Sequence, residues 1–203
     1  LLDYSALPIQ GPPGSGKTFT GARMICELVR QGKKVGITAI SHKVIENLLI
    51  EVITAANEAG LEGLACIQKV NEKSDAAPPG IRQSTDNAEA LAALRGDAQV
   101  VAGTAWLWSR EDYFEAVDVL FVDEARQMSL ANVLAVSQAA KSLVLLGDPQ
   151  QLEQPVKGSH PDGAAGLHPQ QPDDVRHGAG DRDRRRRCDR RAREHRAVHR
   201  ARV

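Results

Sequence analysis

The sequence lacks the features of a secreted, zinc-stabilised or membrane-spanning protein. Its three cysteines, Cys26, Cys66 and Cys188, lie far apart without a CxxC pair, which argues against a disulfide framework or a zinc site. No apolar run approaches the roughly 18 residues that a membrane-spanning helix needs, and no basic segment precedes an apolar stretch at the N-terminus. We therefore expect a soluble, cytoplasmic protein that has no membrane partner.

The chain has no net charge, but its charges are unevenly distributed. Residues 1–162 contain 14 Lys and Arg against 20 Asp and Glu, whereas residues 163–203 contain 12 Arg against 6 acidic residues. The second segment has one Leu and no Ile, Met or aromatic residue, so it cannot bury enough apolar surface to offset the entropy of ordering. We predict one folded domain over 1–162 and an Arg-rich, disordered tail over 163–203.

Two hypotheses explain that tail. It is either an arm that binds phosphate backbones without sequence specificity, or the product of a shifted reading frame that follows the end of the domain. The abrupt change in composition favours the second hypothesis.

Apolar runs alternate with helical periodicities along the first 162 residues. Such alternation, with strands that are apolar throughout, indicates an α/β fold with a parallel sheet covered by helices on both faces. The predicted strands are residues 6–9, 35–40, 64–70, 99–102, 117–122 and 143–146. The predicted helices are residues 17–31, a helix capped by Ser41, and residues 86–94 and 130–140, with a loop over 71–83.

A glycine-rich segment follows the first predicted strand and opens the first predicted helix. It matches the phosphate-binding pattern GxxxxGK[ST] in full and consists of Gly11, Pro12, Pro13, Gly14, Ser15, Gly16, Lys17 and Thr18. Glycines let successive backbone N–H groups converge on phosphate oxygens at a helix N-terminus. The pattern predicts that Lys17 reaches the β- and γ-phosphates and that the Thr18 hydroxyl binds Mg²⁺.

Two carboxylates end the strand predicted over 117–122. Asp123 and Glu124 lie where open α/β sheets bind ligands, outside the carboxyl ends of their strands. Mg²⁺ prefers oxygen ligands and keeps several waters, so Asp123 suffices as its protein carboxylate, and Glu124 is left to position or deprotonate a water. Phosphoryl transfer needs this kind of positioning and charge neutralisation, and ATP or GTP hydrolysis follows as the reaction class.

Several segments in this order resemble the superfamily 1 DNA/RNA helicases whose second nucleotide box reads DEAxQ. The box here runs from Asp123 to Gln127, and residues 38–48, Gly103-Thr104 and residues 146–152 resemble further motifs of that family. The resemblance implies a first RecA-like motor domain whose 143–146 strand lies between the other two strands of the nucleotide site. It also implies ATP, since no NKxD pattern that would specify guanine is visible.

The resemblance further assigns residues to ligands. It implies that Gln151 senses the γ-phosphate and that single-stranded DNA or RNA contacts Ser41, His42, Lys43 and Thr104. His42 as an ordinary surface histidine is an equally good interpretation. For Trp106 and Trp108 we favour a packing role over stacking on a base.

Two departures from the family remain. Arg126 stands where relatives usually have a glycine or another small residue, and nothing in the chain corresponds to the second RecA-like domain that completes the ATP site. We therefore expect a truncated motor domain that binds nucleotide, hydrolyses it feebly or not at all, and does not unwind strands by itself. A nucleotide-dependent switch unrelated to unwinding and a nonenzymatic nucleic-acid-binding remnant are the alternatives.

Overall fold

A computed structural model describes residues 4–148, so Gln151 and the predicted tail lie outside the described residues. The strands are β1 Ala6–Gln10, β2 Val35–Thr38, β3 Cys66–Lys69, β4 Ile81–Ser84, β5 Val100–Ala102, β6 Val117–Val122 and β7 Ala140–Gly147. The helices are α1 Lys17–Arg30, α2 His42–Glu58, α3 Asn87–Arg95, α4 Ala105–Trp108 and α5 Leu130–Ser137. Short 3-10 turns span Glu111–Tyr113 and Ala125–Gln127. None of the helices within 4–148 combines the length and apolar character needed to cross a lipid bilayer.

The seven strands form one parallel sheet in the order β1-β7-β6-β2-β5-β3-β4. The prediction of an α/β fold with a parallel sheet is confirmed. β7 lies between β1 and β6, as the family resemblance implied. Every residue of the central strands β2 and β5 is buried, which explains why these strands are apolar runs without polar alternation.

Helices cover both faces of the sheet, as predicted. On one face, α1 and α2 pack through buried residues such as Ile25, Ile45 and Leu48. On the other face, α3, α4 and α5 enclose a second core that includes Trp108, Tyr113 and Leu120. Each face therefore has a separate hydrophobic core, which is the arrangement expected of a three-layer α/β domain.

Local signals set the helix ends. The Ser41 hydroxyl caps α2 by accepting a hydrogen bond from the Val44 backbone N–H at 3.3 Å, as the sequence predicted. The Asp86 carboxylate caps α3 in the same way, at 2.8 Å from the Ala88 N–H. Gly32 follows the end of α1 with a φ of 74°, a left-handed conformation that glycine adopts without a Cβ penalty.

The structure corrects three element predictions. The predicted loop over 71–83 contains most of β4, an edge strand whose sequence Ile-Arg-Gln-Ser has no apolar run because Arg82 faces solvent. The last strand begins at Ala140, three residues before the prediction, and α5 ends earlier, at Ser137. Polar Lys141 and Ser142 concealed the start of β7. The one-turn helix α4 is too short to show a periodicity and was not predicted.

Candidate functional site

The nucleotide motifs meet at one edge because parallel strands end on the same side of the sheet. In the strand register Gln10 of β1 pairs with Gly147 of β7, and Val122 of β6 pairs with Leu145 of β7. The glycine-rich loop therefore leaves β1 only two strands away from the acidic pair that follows β6, a separation of about 10 Å.

The backbone of the loop favours glycine at two positions, and close packing favours it at a third. Gly14 and Gly16 have φ values of 75° and 80°, in the left-handed region that side chains disfavour. A Cβ atom at Gly11 would overlap the Ser15 hydroxyl. The Gly11 N–H donates to the Gly147 carbonyl at 3.2 Å, which ties the loop to the end of β7.

Lys17, the first residue of α1, reaches back over this loop. Its ammonium donates hydrogen bonds to the carbonyls of Gly11, at 2.6 Å, and Pro12, at 2.9 Å. The positive charge is thus held at the mouth of the loop by contacts that it can exchange for those of an anion. Thr18 is half-buried beside it.

The acidic pair is held at the end of β6. Asp123 is 7% exposed, its carboxylate accepts a hydrogen bond from the Glu124 N–H at 2.8 Å, and its own N–H donates to the Thr38 carbonyl. Burial raises the pKa of the Asp123 carboxyl above its usual range, although the hydrogen bond from Glu124 and the charge of Lys17 oppose that shift. The lysine of the loop and the aspartate of β6 therefore share one electrostatic environment.

Glu124 has an unusual backbone conformation. Its φ of 49° lies in the left-handed region, which costs free energy for a residue other than glycine and is most often found at functional sites. Burial and the neighbouring charge of Asp123 raise the pKa of the Glu124 carboxyl.

Arg126, the departure from the family pattern, fits without disturbing the core. It lies in the 3-10 turn after Glu124 and is exposed. Together with Gln10 and Asp148 it lines a recess of about 220 Å³ at the ends of β1 and β7.

The donor set suits Mg²⁺ bound together with a nucleotide. Within residues 4–148 no group of three or more His, Cys, Asp or Glu side chains is placed to hold a metal ion. Mg²⁺ in nucleotide sites usually needs only one or two carboxylates, because phosphate oxygens and waters supply the other ligands. The buried Asp123 carboxylate and the Thr18 hydroxyl are oxygen donors of the required kind.

A cavity of about 800 Å³ opens beside this site, where β2, β3 and β5 end; we call it the strand-end cavity. Ser41, His42 and Thr104, three of the four residues predicted to contact nucleic acid, line it. Lys43 does not line it; this exposed side chain pairs instead with Glu46 on the same helix at 2.5 Å.

The strand-end cavity has a lining suited to an anion. Its charged lining residues are Lys69 and Arg110, and none of the described residues that line it is acidic. Burial lowers the pKa of His42, the charge of Lys69 adds to that shift, and a hydrogen bond with Asn71 opposes it. The lowered pKa favours the neutral imidazole, which can both donate and accept a hydrogen bond.

The two tryptophans have different environments. Trp108 is fully buried and its indole N–H lies 3.1 Å from the carbonyls of both Ile37 and Gly103, so the packing interpretation of this residue is confirmed. For Trp106 that interpretation is wrong, because its side chain is 86% exposed and lines the strand-end cavity. Sequence reasoning missed Lys69 and Arg110 here, and it ranked stacking on a base by Trp106 below packing. Only the proximity of Arg110 to the Gly103-Thr104 motif could have indicated that residue.

A second large cavity lies away from these residues. It measures about 750 Å³, runs along the outer side of α1 and includes Asp118 and Lys141 near the amino-terminal ends of β6 and β7. None of the glycine-rich loop residues and neither member of the acidic pair lines it. The Asp118 and Lys141 end of this cavity lies at the edge of the sheet opposite the candidate nucleotide site, whereas its other end reaches Phe19, the residue after Thr18.

Comparison with known proteins gives a consistent result. A family model described as an AAA domain matches residues 3–171. The DNA replication ATP-dependent helicase/nuclease DNA2 of Homo sapiens is 30% identical over 163 residues, an alignment that covers 75% of this chain and 14% of the human protein. The protein of the same description from Gallus gallus is 32% identical over 172 residues, covering 78% of this chain and 16% of that protein.

A solved structure shares the fold. The structure of a nuclease-deletion mutant of the Type ISP restriction-modification enzyme LlaGI, in complex with a DNA substrate mimic, superimposes with a TM-score of 0.50 at 18% identity. The match covers 71% of this chain and 15% of that one. The chain thus spans only a small part of the length of the proteins that it matches.

Proposed function

The chain belongs to the AAA domain family and is a RecA-like motor domain of the superfamily 1 helicase type, and on this basis we propose that it binds and hydrolyses Mg²⁺–ATP in response to single-stranded DNA or RNA. In a longer protein this hydrolysis drives movement along the strand. A second RecA-like domain then completes the ATP site from across the cleft.

The observation that carries the proposal is the meeting of two motifs that are about a hundred residues apart in sequence. The charge of Lys17, on the glycine-rich loop, acts on the buried carboxylate of Asp123, at the end of β6. A triphosphate needs both a cation for its terminal phosphates and an oxygen ligand for its metal ion. Lys17 and Asp123 lie at the same edge of the sheet, so one site can provide both the cation and the oxygen ligand.

Each residue then has a defined task. The backbone N–H groups of Gly14, Gly16 and the first turn of α1 bind phosphate oxygens, and Lys17 exchanges its contacts with the loop carbonyls for the β- and γ-phosphates. Thr18 and Asp123 would hold Mg²⁺, and the ion would supply positive charge to the phosphates. Glu124 orients the attacking water and accepts its proton, a role that a raised carboxyl pKa favours. We propose the role of γ-phosphate sensor for Gln151.

Single-stranded nucleic acid is proposed to enter the strand-end cavity. Ser41 and His42 belong to the segment that follows β2, and Asp123 is hydrogen-bonded to Thr38 at the end of that same strand. A ligand that moves this segment can therefore also move the end of β2, to which Asp123 is hydrogen-bonded. This connection supports coupling between strand binding and hydrolysis.

The first experiment tests nucleotide binding. Mg²⁺–ATP is titrated into the wild-type chain, a Lys17→Ala variant and a Lys73→Ala variant, the last being a control that removes an exposed lysine from a distant loop. Charged hydrogen bonds contribute about 1.5–3 kcal/mol each, so we expect Lys17→Ala to weaken binding by roughly ten-fold or more and Lys73→Ala to leave it unchanged. Equal affinities for all three proteins would remove the nucleotide site.

The second experiment tests coupling. Phosphate release is measured with and without oligothymidylate or oligouridylate, in wild-type protein and in Glu124→Gln. We expect the oligonucleotides to change nucleotide affinity or turnover in the wild type, and Glu124→Gln to bind nucleotide without turning it over. Nucleotide binding that is indifferent to every single strand would favour a switch unrelated to unwinding.

A further inference from the structure

We propose that Trp106 is a stacking platform for one unpaired nucleobase in the strand-end cavity. This inference rests on the proposed function, because it names how the same cavity recognises its strand. It assigns a ligand-contacting role to a residue that lies outside the helicase-like motifs of the sequence.

The first argument is exposure. Trp106 is the most exposed of the large apolar side chains in residues 4–148, at 86%. An indole in water forgoes the stabilisation that burial would give, so nothing in the packing of residues 4–148 accounts for tryptophan at this position. Single exposed apolar residues are common on protein surfaces, and exposure alone therefore decides little.

The second argument is that buried neighbouring residues hold the backbone beneath the exposed ring in place. Leu107 and Trp108, the next two residues of α4, are buried, and the Trp108 indole N–H is anchored by the carbonyls of Ile37 and Gly103. Tyr113 packs edge-on against Trp108 with ring centroids 5.5 Å apart. The backbone that carries Trp106 is therefore fixed before any ligand arrives, which lowers the entropic cost of stacking on it.

The third argument is the chemistry of the surrounding wall. The described residues that line the cavity include Lys69 and Arg110 but no carboxylate, although acidic residues outnumber basic ones over residues 1–162. The side-chain amides of Asn71, Asn87 and Asn132 line the same cavity and offer both donors and acceptors. An aromatic surface, hydrogen-bonding amides and nearby cations together match a base attached to a phosphate backbone.

The proposed contact selects single strands over duplexes. A base in a duplex already stacks on its neighbours and pairs with its partner, so its faces are not available to an indole. A base in a single strand can turn into the cavity, and stacking on an aromatic side chain tolerates every base because each has a π-face. The geometry therefore predicts recognition of strandedness rather than of sequence.

The test compares a normal strand with one that has no bases. Short oligothymidylate, oligouridylate and an abasic strand of the same length and charge are titrated into the full chain. The titrations use elevated salt, so that phosphate contacts, including any made by the Arg-rich tail, are weakened in all variants alike. The variants are Trp106→Ala, Trp106→Phe and, as a matched control, Phe114→Ala, which removes an exposed aromatic ring that does not line the cavity.

We expect Trp106→Ala to weaken binding of both base-containing strands by roughly ten-fold. Trp106→Phe should restore most of the affinity, and Phe114→Ala should not change it. The abasic strand should bind wild type and Trp106→Ala equally. The chain has two tryptophans, and Trp108 is buried, so the fluorescence of the wild type should be quenched by oligothymidylate but not by the abasic strand, and this quenching should be absent in Trp106→Ala.

Several outcomes would overturn the inference. The inference fails if wild type and Trp106→Ala bind oligothymidylate with equal affinity. It also fails if Trp106→Ala weakens binding of the abasic strand as much as it weakens binding of oligothymidylate. An acidic peptide that binds in a Trp106-dependent manner as tightly as oligothymidylate would replace the nucleobase with a protein partner. If Mg²⁺–ATP binding fails in the wild type, the proposed function fails first; if it persists while the oligonucleotide results are negative, only the strand-end cavity loses its assignment.

Discussion

The glycine-rich loop and the strand-end cavity lie at the same edge of the sheet, but their residues are differently distributed along the chain. The phosphate-binding part of the first site is one continuous segment, from Gly11 to Thr18. The cavity is lined by side chains from the ends of β2, β3 and β5, so residues near 41, 69 and 106 become neighbours only after folding. Local patterns can therefore specify the first site and can only hint at the second.

The two sites also depend on different physical properties. The loop depends on backbone conformation, because Gly14 and Gly16 adopt the left-handed region and so let N–H groups converge on an anion. The cavity depends on packing, because Trp108 and Leu107 must be buried for Trp106 to project outward. Mutations that separate backbone effects from packing effects should therefore separate the two sites.

The largest effect is expected for Trp108→Ala. This substitution removes a fully buried indole and both of its hydrogen bonds, and buried tryptophan-to-alanine changes typically cost about 3–5 kcal/mol. Chemical denaturation should show a loss of that size. At a temperature where the variant remains folded, oligonucleotide affinity should fall while Mg²⁺–ATP affinity persists; a selective loss of ATP affinity would contradict the separation of the sites.

The contrast between the sites accounts for the success and the failure of sequence-based prediction. The α/β class and the order of β1, β7 and β6 were predictable, since apolar runs mark buried parallel strands. β4 was not, because an edge strand buries little and its polar residues look like a loop. The different environments of Trp106 and Trp108 were also hidden, because the orientation of a four-residue helix depends on tertiary packing.

Gly16→Ala is expected to have the next largest effect. The φ of 80° at Gly16 disfavours any Cβ, whereas no atom lies closer than 4.0 Å to where that Cβ would stand, so the cost arises from the backbone. We expect a loss of about 1–2 kcal/mol in stability and a marked loss of Mg²⁺–ATP affinity. Gly63→Ala is the control, with a φ of 75° and open space around it. It should lower stability similarly, as followed by thermal unfolding, but leave ATP affinity intact.

Ser41→Ala should have a smaller effect that falls on the cavity. Loss of the cap on α2 is expected to cost about 1 kcal/mol, the usual value for an N-terminal cap. Asp86→Ala removes the matching cap of α3, a helix whose cap residue does not line the cavity. Both variants should lower the unfolding midpoint by similar amounts, and only Ser41→Ala should also weaken oligonucleotide binding. Equal binding by the two variants would exclude Ser41 from the strand contact.

The smallest effect is expected at the other end of β6, where Asp118 contrasts with Asp123. Burial alone would raise the pKa of Asp118, but the Lys34 N–H at 2.9 Å and the Lys141 ammonium at 3.2 Å outweigh it and lower the pKa below its ordinary value of 3.8. Because the folded-state pKa is the lower one, this carboxylate stabilises the fold above pH 3.8, and the contribution disappears as the pH falls through the folded-state value.

Asp118→Asn should therefore destabilise the chain at pH 7 and have no effect in strong acid. The loss should be under about 1 kcal/mol, because Lys141 is 45% exposed and water screens its charge. Unfolding midpoints of wild type and variant, measured from neutral pH down to pH 3, should converge as the pH falls. Mg²⁺–ATP affinity at pH 7 should not change, since Asp118 lies at the edge of the sheet opposite the glycine-rich loop. A variant that is more stable than wild type at pH 7 would instead mean that burial dominates at Asp118, as it does at Asp123.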